Sequence, residues 1–341
     1  MIPSYDRADL ALVVLAALER QTYRDFRAVL VDNGSRDGTV DAVRSRFPGA
    51  RIVALPRNRG FAGAVNAGLR TSPSELVALL NNDAAPEPEW LAELVRALDA
   101  HPGCDGAASL ILRREPRGAI DSAGDGVSSL FLPYPIGSNE PDDGRYSRER
   151  SVFAASGGAV LYRRALFDAV GLFDERFFAY FEDVDFSFRA QLAGRLFLFV
   201  PAARVVHLGG ETSGGRFSSL AVRLSTRNLL FVLAKNLPSP LLVRALPRVA
   251  LGQLYWFLKM AVKERRPGAW LRGEIAGVVR FLEMRSSGRP ARATARVSHG
   301  ELARRLSLSA AEVDLSIRRK RAARSGKGKP LLENGREEAR A

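Results

Sequence analysis

The alternation of short apolar runs with helical patterns over the first 110 or so residues most constrains the fold of this 341-residue chain. Strand-then-helix alternation is typical of a parallel sheet with helices packed on it, so it predicts an α/β fold. In such sheets ligands bind beyond the carboxyl ends of the strands. The predicted strands are residues 27–31, 51–55 and 76–80, and the predicted helices are residues 8–20, 39–46, 61–69 and 86–100.

The rest of the chain divides by composition. Residues 113–150 are rich in Gly, Pro, Asp and Ser and are predicted to form a long loop or a β excursion. Two further strands are predicted at residues 152–162 and 196–206, and beyond residue 217 the pattern becomes helical. We predict an α/β domain over residues 1–216, a helical segment over 217–290 and a basic, partly disordered tail over 291–341, with disorder from Arg318 onwards.

Positive charge is concentrated in the C-terminal part of the chain. Residues 217–341 carry 26 Lys and Arg against 9 Asp and Glu, whereas the preceding 216 residues carry 25 against 28. Such an excess predicts an anionic partner (lipid, nucleic acid or an acidic acceptor), and the alternative is a solvated basic tail. The single cysteine, Cys104, excludes an intramolecular disulfide and fits a reducing compartment, and the polar start of the chain predicts no signal peptide.

One helical face within this basic region is apolar. Leu251, Leu254, Tyr255, Leu258 and Val262 recur at helical spacing, with lysines beside them. The longest charge-free run there is far shorter than the roughly 20 residues that span a bilayer. The pattern fits equally a helix that lies in a membrane surface and a helix that packs on the α/β domain.

Polar groups follow three of the predicted strands, at the edge where a ligand is expected. Asp32 can accept hydrogen bonds from a nucleobase or a ribose hydroxyl, although the same residues also form turns. Asp83 can hold Mg²⁺ or Mn²⁺ when substrate phosphates supply the other ligands, or it can simply belong to a turn. His207 becomes a candidate metal ligand only if Asp83 lies near it in space.

Two further segments carry candidate chemistry. Residues 57–63 place two glycines at a helix start, where negative charge is favoured, but their spacing matches neither a P-loop nor a dinucleotide fingerprint. Glu182, Asp183 and Asp185 form the densest acidic cluster and lie among aromatic residues. Carboxylates beside aromatic surface tend to have a raised pKa, as a general base requires. The alternative is the ordinary enrichment of acids at a helix start.

Taken in order, these segments resemble glycosyltransferase family 2, and within it the rhamnosyltransferase-like branch. The resemblance covers residues 1 to about 215 and rests on the number of matching segments and on their spacing. The matching segments are residues 2–5 (IPSY), 21–23 (QTY), 31–38 (VDNGSRDG), 58–68 (NRGFAGAVNAG), 80–83 (LNND), 156–159 (SGGA), 171–175 (GLFDE), 181–185 (FEDVD) and 201–207 (PAARVVH).

The resemblance implies a GT-A fold, a Rossmann-like and mainly parallel sheet flanked by helices, with one site for donor and acceptor. It implies an inverting sugar transfer from a nucleotide diphosphate to a hydroxyl, with Asp183 as general base. Glu182 and Asp185 would orient the base or bind acceptor hydroxyls, and Asp83 and His207 would hold Mg²⁺ or Mn²⁺. The nucleotide sugar would be bound by Pro3, Ser4, Tyr5, Asp32, Asn58, Gly60, Phe61, Asn66, Asn82, Asp83, Gly157 and Gly158.

The same resemblance implies the partners. We expect dTDP-rhamnose as the donor, with UDP-sugars as the runner-up, and a saccharide or lipid-linked saccharide as the acceptor in cell-envelope polysaccharide synthesis. We expect a cytoplasmic enzyme, peripheral on the inner face of the cell membrane, that binds an anionic membrane surface and no nucleic acid. The rival interpretations are a sugar-nucleotide nucleotidyltransferase, whose glycine- and lysine-containing loop is not found before Asp32, and a non-catalytic nucleotide-sugar-binding protein.

The chain departs from the family pattern in two places. Only Met1 and Ile2 remain of the apolar strand that usually precedes the Pro-Ser-Tyr segment, so we expect the natural start to lie upstream. The metal-binding segment is Asn81-Asn82-Asp83, which has one carboxylate in place of two. This second departure weakens the case for a bound metal.

Overall fold

In the part of the chain that the structure describes, the strands form two sheets and one small hairpin. The computed structural model describes residues 1–209 and 217–324. Within those residues the strands are β1 (Ile2–Ser4), β2 (Val29–Asp32), β3 (Arg51–Ala54), β4 (Leu76–Leu80), β5 (Ala84–Pro86), β6 (Gly106–Arg113), β7 (Ile120–Ala123), β8 (Asp125–Val127), β9 (Pro133–Pro135), β10 (Arg150–Val152), β11 (Ala159–Arg163) and β12 (Phe197–His207).

Helices alternate with strands in the first 100 residues and then dominate after β12, so the predicted α/β class with a C-terminal helical segment is confirmed. The predicted elements of the first 100 residues all occur, with ends displaced by at most four residues. The helices are α1 (Ala8–Leu18), α2 (Thr39–Arg46), α3 (Gly60–Arg70), α4 (Trp90–Ala100), α5 (Arg164–Val170), α6 (Glu182–Leu192), α7 (Ser219–Asn236), α8 (Ser239–Phe257), α9 (Pro267–Val279), α10 (Phe281–Ser287), α11 (Arg289–Ala293) and α12 (His299–Arg324), with a 3₁₀ turn at Glu175–Phe177 and a π-helix at Leu258–Lys263.

The first sheet brings the predicted ligand-binding edge together. β1, β2 and β3 are parallel neighbours in that order, and Ser4 lies opposite Asp32. The backbone N–H of Leu80 donates to the carbonyl oxygen of Met1 at 3.0 Å, which places β4 beside β1. Asp32 and the residues after Leu80 therefore lie at one edge of the sheet. The expected upstream start of the chain stays a prediction.

The second sheet is built on β6, which pairs in parallel with β12, while β11 runs antiparallel between β6 and β4. Alternate residues of β11 face opposite sides, as a strand's period of two requires. Leu161 belongs to the apolar cluster that includes α1 and α4, and Tyr162 to the cluster that includes α3 and α6. The sheet is therefore buried on both faces.

The single strand predicted for residues 152–162 is wrong. β10 ends at Val152 and β11 begins at Ala159, with a turn through Gly157 and Gly158 between them. The backbone of this turn hydrogen-bonds side chains and strand ends outside the sheet ladder, so it cannot continue either strand.

The segment predicted as a loop or β excursion contains β7, β8 and β9, and α12 packs on it. The hydroxyl of Ser309 accepts a hydrogen bond from the backbone N–H of Val127 at 2.8 Å, and that of Ser316 accepts one from Gly137 at 2.9 Å. α12 continues to Arg324, so disorder from Arg318 onwards is wrong for the first residues of that range. Residues 325–341 lie outside the described residues.

α7 joins the sheets to the remaining helices. It contacts α6 on one side and α9 and α10 on the other, and its Asn228 and Phe231 are fully buried. The division of the chain at residue 216 stays a prediction. No helix in the described part of the chain is both long and apolar enough to cross a bilayer.

Candidate active site

A cleft of about 790 Å³ opens at the carboxyl edge of β1, β2 and β4. It collects segments that are distant in sequence, including the Gly157–Gly158 turn and the start of α6. Thirteen of the sixteen predicted site residues line it: Pro3, Ser4, Tyr5, Asn58, Gly60, Phe61, Asn82, Asp83, Gly157, Gly158, Glu182, Asp183 and His207.

The end of the cleft formed by β1 and β2 suits a nucleoside. Asn82 Nδ2 donates to the hydroxyl of Ser4 at 3.2 Å, and both side chains are buried. Asp32 lies behind this wall. Its Oδ2 accepts from the backbone N–H of Ser35 at 3.2 Å, while its buried Oδ1 has no hydrogen-bond partner among the described residues. Buried polar atoms are normally paired, so this oxygen is an unsatisfied acceptor, and a contact between Asp32 and the nucleoside stays a prediction.

Hydrogen bonds with asparagine side chains fix the backbone at the start of α3. Asn58 Oδ1 accepts from the backbone N–H of Gly60 at 2.8 Å and from Asn33 Nδ2 at 3.0 Å. Gly60 has a φ of +73°, and a Cβ there would lie 2.2 Å from the carbonyl oxygen of Phe178. Only glycine allows this close approach, which sets the segment before the acidic cluster against the helix start.

His207 bridges two carboxylates at the far end of the cleft. Its Nε2 lies 3.1 Å from Asp83 Oδ2, and its Nδ1 lies 2.9 Å from Asp121 Oδ2. Asp121 also pairs with Arg113. Burial lowers the pKa of His207, but the hydrogen bonds and charges of Asp121 and Asp83 outweigh it and raise that pKa to about 10. The condition that His207 lie near Asp83 is therefore met.

A divalent metal fits this end of the cleft. Asp83 Oδ1 is buried and has no hydrogen-bond partner among the described residues, so one carboxylate oxygen is free to ligate. No group of three or more His, Cys, Asp or Glu suited to a metal occurs in the described ranges. A metal here would take Asp83 and His207 from the protein and its remaining ligands from a diphosphate and water, as Mg²⁺ commonly does.

Asp183 is held in place by backbone donors. Its Oδ2 accepts from the N–H of Gly157 at 3.0 Å and its Oδ1 from the N–H of Val184 at 2.8 Å. Burial raises the pKa of Asp183, and these hydrogen bonds offset only part of that rise. The carboxylate is therefore a stronger base than an exposed aspartate, and it faces the cleft.

Glu182 lies beside it at the first position of α6. It is buried, and its Oε2 has no hydrogen-bond partner among the described residues. Burial, followed by the charge of Asp183, raises the pKa of Glu182 well above its ordinary value. Of these two neighbouring carboxyl groups, Glu182 therefore holds its proton more tightly than Asp183.

Asp185 points away from the cleft, contrary to the expectation that it could bind an acceptor hydroxyl. It is fully buried, with Lys235 Nζ at 2.8 Å, Arg189 Nε at 3.0 Å and Asn236 Nδ2 at 2.9 Å. Burial raises the pKa of Asp185, but the charges of Lys235 and Arg189 outweigh it and lower that pKa below its ordinary value. These contacts tie α6 to α7, and the other expected role of Asp185, to orient the base, stays a prediction.

Asn66 does not reach the cleft either, although it was predicted to bind the nucleotide sugar. Its Nδ2 donates to the carbonyl oxygen of Phe173 at 2.8 Å, and its Oδ1 accepts from the N–H of Phe173 at 3.1 Å. The side chain is buried and ties α3 to the segment before α6. It therefore supports the wall of the cleft.

The segment that precedes Asp183 has an unusual backbone. Phe178, Tyr180 and Phe181 all have φ between +65° and +69°, a region that residues with side chains rarely adopt. Asn228 Nδ2, on α7, lies 3.0 Å from the carbonyl oxygen of Phe177 and 2.6 Å from that of Tyr180. Such strain persists only where the surroundings hold it, and here the holder is α7.

Sequence patterns missed three residues of this arrangement: Asp121, Asn228 and Lys235. Asp121 sits in the Gly- and Pro-rich excursion, where nothing distinguishes it from neighbouring acids. Asn228 and Lys235 lie on a helix that shows no sign in the sequence of contact with the cleft.

Comparison with known proteins identifies the family. The family model described as "Glycosyl transferase family 2" matches residues 1–171. An N-acetylglucosaminyl-diphospho-decaprenol L-rhamnosyltransferase of Mycobacterium tuberculosis is 33% identical over 223 residues, which cover 59% of this chain and 72% of that protein. The predicted glycosyltransferase activity and rhamnosyltransferase-like branch are thus confirmed.

Solved structures confirm the GT-A fold. A mannosyltransferase of Pyrobaculum calidifontis in complex with GDP-Man and Mn²⁺ is similar with a TM-score of 0.51 and 20% identity, covering 82% of this chain and 85% of that one. S. aureus TarS 1-349 in complex with UDP is similar with a TM-score of 0.54 and 17% identity, covering 97% and 92%. At these identities the likeness concerns the fold alone.

Proposed function

We propose, because this chain belongs to glycosyl transferase family 2, that its cleft moves a sugar from a nucleotide diphosphate to an acceptor hydroxyl with inversion at the anomeric carbon. The observation that carries the proposal is the orientation of Asp183. Two backbone N–H groups fix its carboxylate at the cleft wall, and burial raises its pKa. A general base needs this combination of fixed geometry and raised pKa.

Asp183 would remove the proton of the acceptor hydroxyl while that oxygen attacks the anomeric carbon. The nucleotide diphosphate would leave from the opposite face of the sugar ring, which inverts the configuration. Glu182, which tends to stay protonated, would keep a second negative charge away from the base and can donate a hydrogen bond to a sugar hydroxyl.

The leaving diphosphate would lie at the end of the cleft occupied by Asp83 and His207. A bound Mg²⁺ or Mn²⁺ would supply charge stabilisation for the leaving group. Asp83 and His207 would hold that metal, and Asp121 would fix the ring of His207 through Nδ1. Arg114, whose N–H donates to the His207 carbonyl oxygen at 3.0 Å, adds positive charge nearby.

Donor and acceptor are proposed from the relatives. The mycobacterial relative is named for rhamnosyl transfer to a diphospho-decaprenol-linked N-acetylglucosamine. We take dTDP-rhamnose as the first donor to test and UDP-sugars as the second, with a lipid-linked saccharide as acceptor. Such an acceptor places the enzyme peripherally at an anionic membrane surface, on the cytoplasmic side, in cell-envelope polysaccharide synthesis.

Release of nucleotide diphosphate from a panel of nucleotide sugars, with Mg²⁺ or Mn²⁺ and a lipid-linked acceptor, tests the proposal. We expect release from one donor that depends on the acceptor, and a product of inverted anomeric configuration by NMR. The Asp41→Asn variant, changed at an exposed helix position, should release nucleotide diphosphate as the wild type does. Release of pyrophosphate from a sugar phosphate and a nucleoside triphosphate, or retained configuration, would contradict it.

A further inference from the structure

α9 is built with its small residues inside and its large apolar residues outside. Its buried positions are Ala269, Gly273 and Gly277, spaced four residues apart on one face. On the opposite side, Leu271 and Ile275 are more than half exposed. A helix of a water-soluble domain normally buries its large apolar side chains, so this arrangement is reversed.

The reversal is fixed by close packing on α7. A Cβ on Gly273 would lie 2.5 Å from the carbonyl oxygen of Arg223, and one on Gly277 would lie 2.6 Å from Leu230 Cδ1. Larger side chains therefore do not fit between these helices. The apolar groups of α9 have no alternative position within the fold.

α8 repeats the pattern. Its small residues Ala245 and Gly252 are buried, and a Cβ on Gly252 would lie 2.3 Å from the carbonyl oxygen of Leu130. Large apolar residues face outward on α8, on the π-helix after it, on α9 and on α10, and we name this set the apolar surface. Its members are 40–79% exposed: Val243, Leu246, Leu251, Leu254, Tyr255, Leu258, Val262, Leu271, Ile275, Val278, Val279 and Leu282.

Charge decides what covers the apolar surface. Residues 239–293 carry eleven Lys and Arg against three Glu. A second copy of the chain would bring a like charge against this one, which disfavours self-association, whereas an anionic bilayer is complementary in charge and supplies hydrocarbon. Basic helices with one apolar face bind in this way at the boundary of headgroups and acyl chains.

We propose that the apolar surface inserts into the headgroup–acyl boundary of an anionic leaflet, with the surrounding arginines and lysines at the lipid phosphates. The proposal rests on the lipid-linked acceptor proposed above and names the part of the chain that meets its membrane. α7 connects the two sites: Leu224 lines the cleft, and the carbonyl group of its neighbour Arg223 contacts α9. The bilayer, on the outer side of α9, would thus be separated by α9 and α7 from the part of the cleft that Leu224 lines.

Sedimentation of the full chain with vesicles of phosphatidylcholine, with and without phosphatidylglycerol, tests the proposal. The variant Ile275→Ser/Val279→Ser/Leu282→Ser removes apolar contact without changing charge. The control, Val13→Ser/Leu308→Ser, alters exposed apolar residues outside the apolar surface. We expect binding that requires the anionic lipid and no change in the control. The triple variant should lose at least about tenfold in binding, because three apolar side chains no longer leave water for the acyl chains.

Unchanged binding of the triple variant, or equal binding to neutral vesicles, would overturn the proposal. The proposal would also be overturned if the wild type bound no vesicles but formed a dimer in sedimentation, and the triple variant were a monomer. In that case a second copy of the chain would cover the apolar surface. Nucleotide diphosphate release with a short-chain, water-soluble acceptor is measured on the same proteins and should not change. Vesicle binding without any sugar transfer would contradict only the proposed function. Sugar transfer without vesicle binding would contradict only the proposed insertion of the apolar surface into a membrane.

Discussion

Asn228 Nδ2 donates to the carbonyl oxygen of Tyr180 at 2.6 Å, so a side chain from the C-terminal helices holds the left-handed segment that leads into α6. The same amide nitrogen lies 2.9 Å from the carbonyl oxygen of Ala179. The position of Asp183, three residues after Tyr180, therefore depends on α7. The position of the proposed general base is thus set by two parts of the chain that are almost 50 residues apart.

Replacing Asn228 with aspartate tests this dependence. The change keeps the shape of the side chain but turns the donor into an acceptor that faces carbonyl oxygens, which costs about 1–3 kcal/mol. We expect kcat to fall on the order of tens to a hundredfold through displacement of Asp183, with KM for the donor little changed. Exposed Asn139→Asp is the control. A loss confined to KM or to stability would leave Asn228 without a positioning role.

The Asp183→Asn variant should bind nucleotide sugar normally but lose turnover by about 10²–10⁴-fold, the usual contribution of a general base. The variant keeps the oxygen that accepts from Gly157, so the turn should stay in place. Donor affinity by calorimetry and single-turnover rates separate binding from chemistry. Near-wild-type transfer by this variant would remove Asp183 from the mechanism.

The dependence of the wild-type transfer rate on pH also tests the role of Asp183 as base. Transfer needs ionised Asp183, and burial raises its pKa, so activity should fall on the acid side at a pH above the range of an exposed aspartate. The acid limb should disappear from the residual activity of Asp183→Asn. An acid limb that is identical in both proteins would belong to another group.

Asp121→Asn should weaken metal binding without touching a metal ligand. The carboxylate accepts from Nδ1 of His207 and fixes the tautomer in which Nε2 can ligate. We expect the affinity for Mn²⁺, titrated in the presence of nucleoside diphosphate, to fall about 10–100-fold, as for other such partners of metal-binding histidines. Asp143→Asn, which alters a surface pair with Arg145, should bind Mn²⁺ normally.

Lys235→Met should destabilise the protein at neutral pH, because it removes one of the two cations that pair with each of two buried carboxylates and leaves only Arg176 and Arg189. The loss should stay below the roughly 3–5 kcal/mol that a fully unpaired buried charge costs. Lys235 Nζ lies 2.7 Å from Asp174 and 2.8 Å from Asp185. The folded protein lowers both aspartate pKa values, so this stability is present above the unfolded pKa of about 3.9 and is lost as pH falls below it.

Urea unfolding at neutral and acid pH measures the effect. The gap between wild type and Lys235→Met should narrow on acidification, whereas Lys263→Met, at an exposed position, should match wild type throughout. A gap that is independent of pH would indicate lost packing and no ion pairing.

The sequence predicted which residues gather at the cleft better than which way they face. Asp83 and Asp32 could be placed because the carboxyl ends of parallel strands share an edge. Asp183 and Asp185 lie two residues apart on a helix, about 200° around its axis, so only one of them can face the cleft. Helix geometry alone therefore predicts that one of the two acids faces away from the cleft, whereas the resemblance assigned a role at the site to both.

Contacts between distant segments were beyond the sequence. Asp121 reaches His207 across 86 positions, and no local pattern encodes that distance. In the basic tail, Leu302, Leu306 and Val313 recur at helical spacing and are buried in α12, but the charge around them concealed the pattern. Charge counts describe the outer face of such a helix and say little about the inner one.

The bond between Lys235 and Asp185 also limits how this enzyme can be recombined. A chimaera that joins residues 1–216 to another enzyme's C-terminal helices would keep the two buried acids, Asp174 and Asp185, but lose Lys235, the cation that they share. Shuffling should succeed only with a junction placed after Asn236, where α7 ends. The unit that can be exchanged, in the laboratory or in evolution, is therefore the sheets together with α7, and the helices that carry the apolar surface are the separable part.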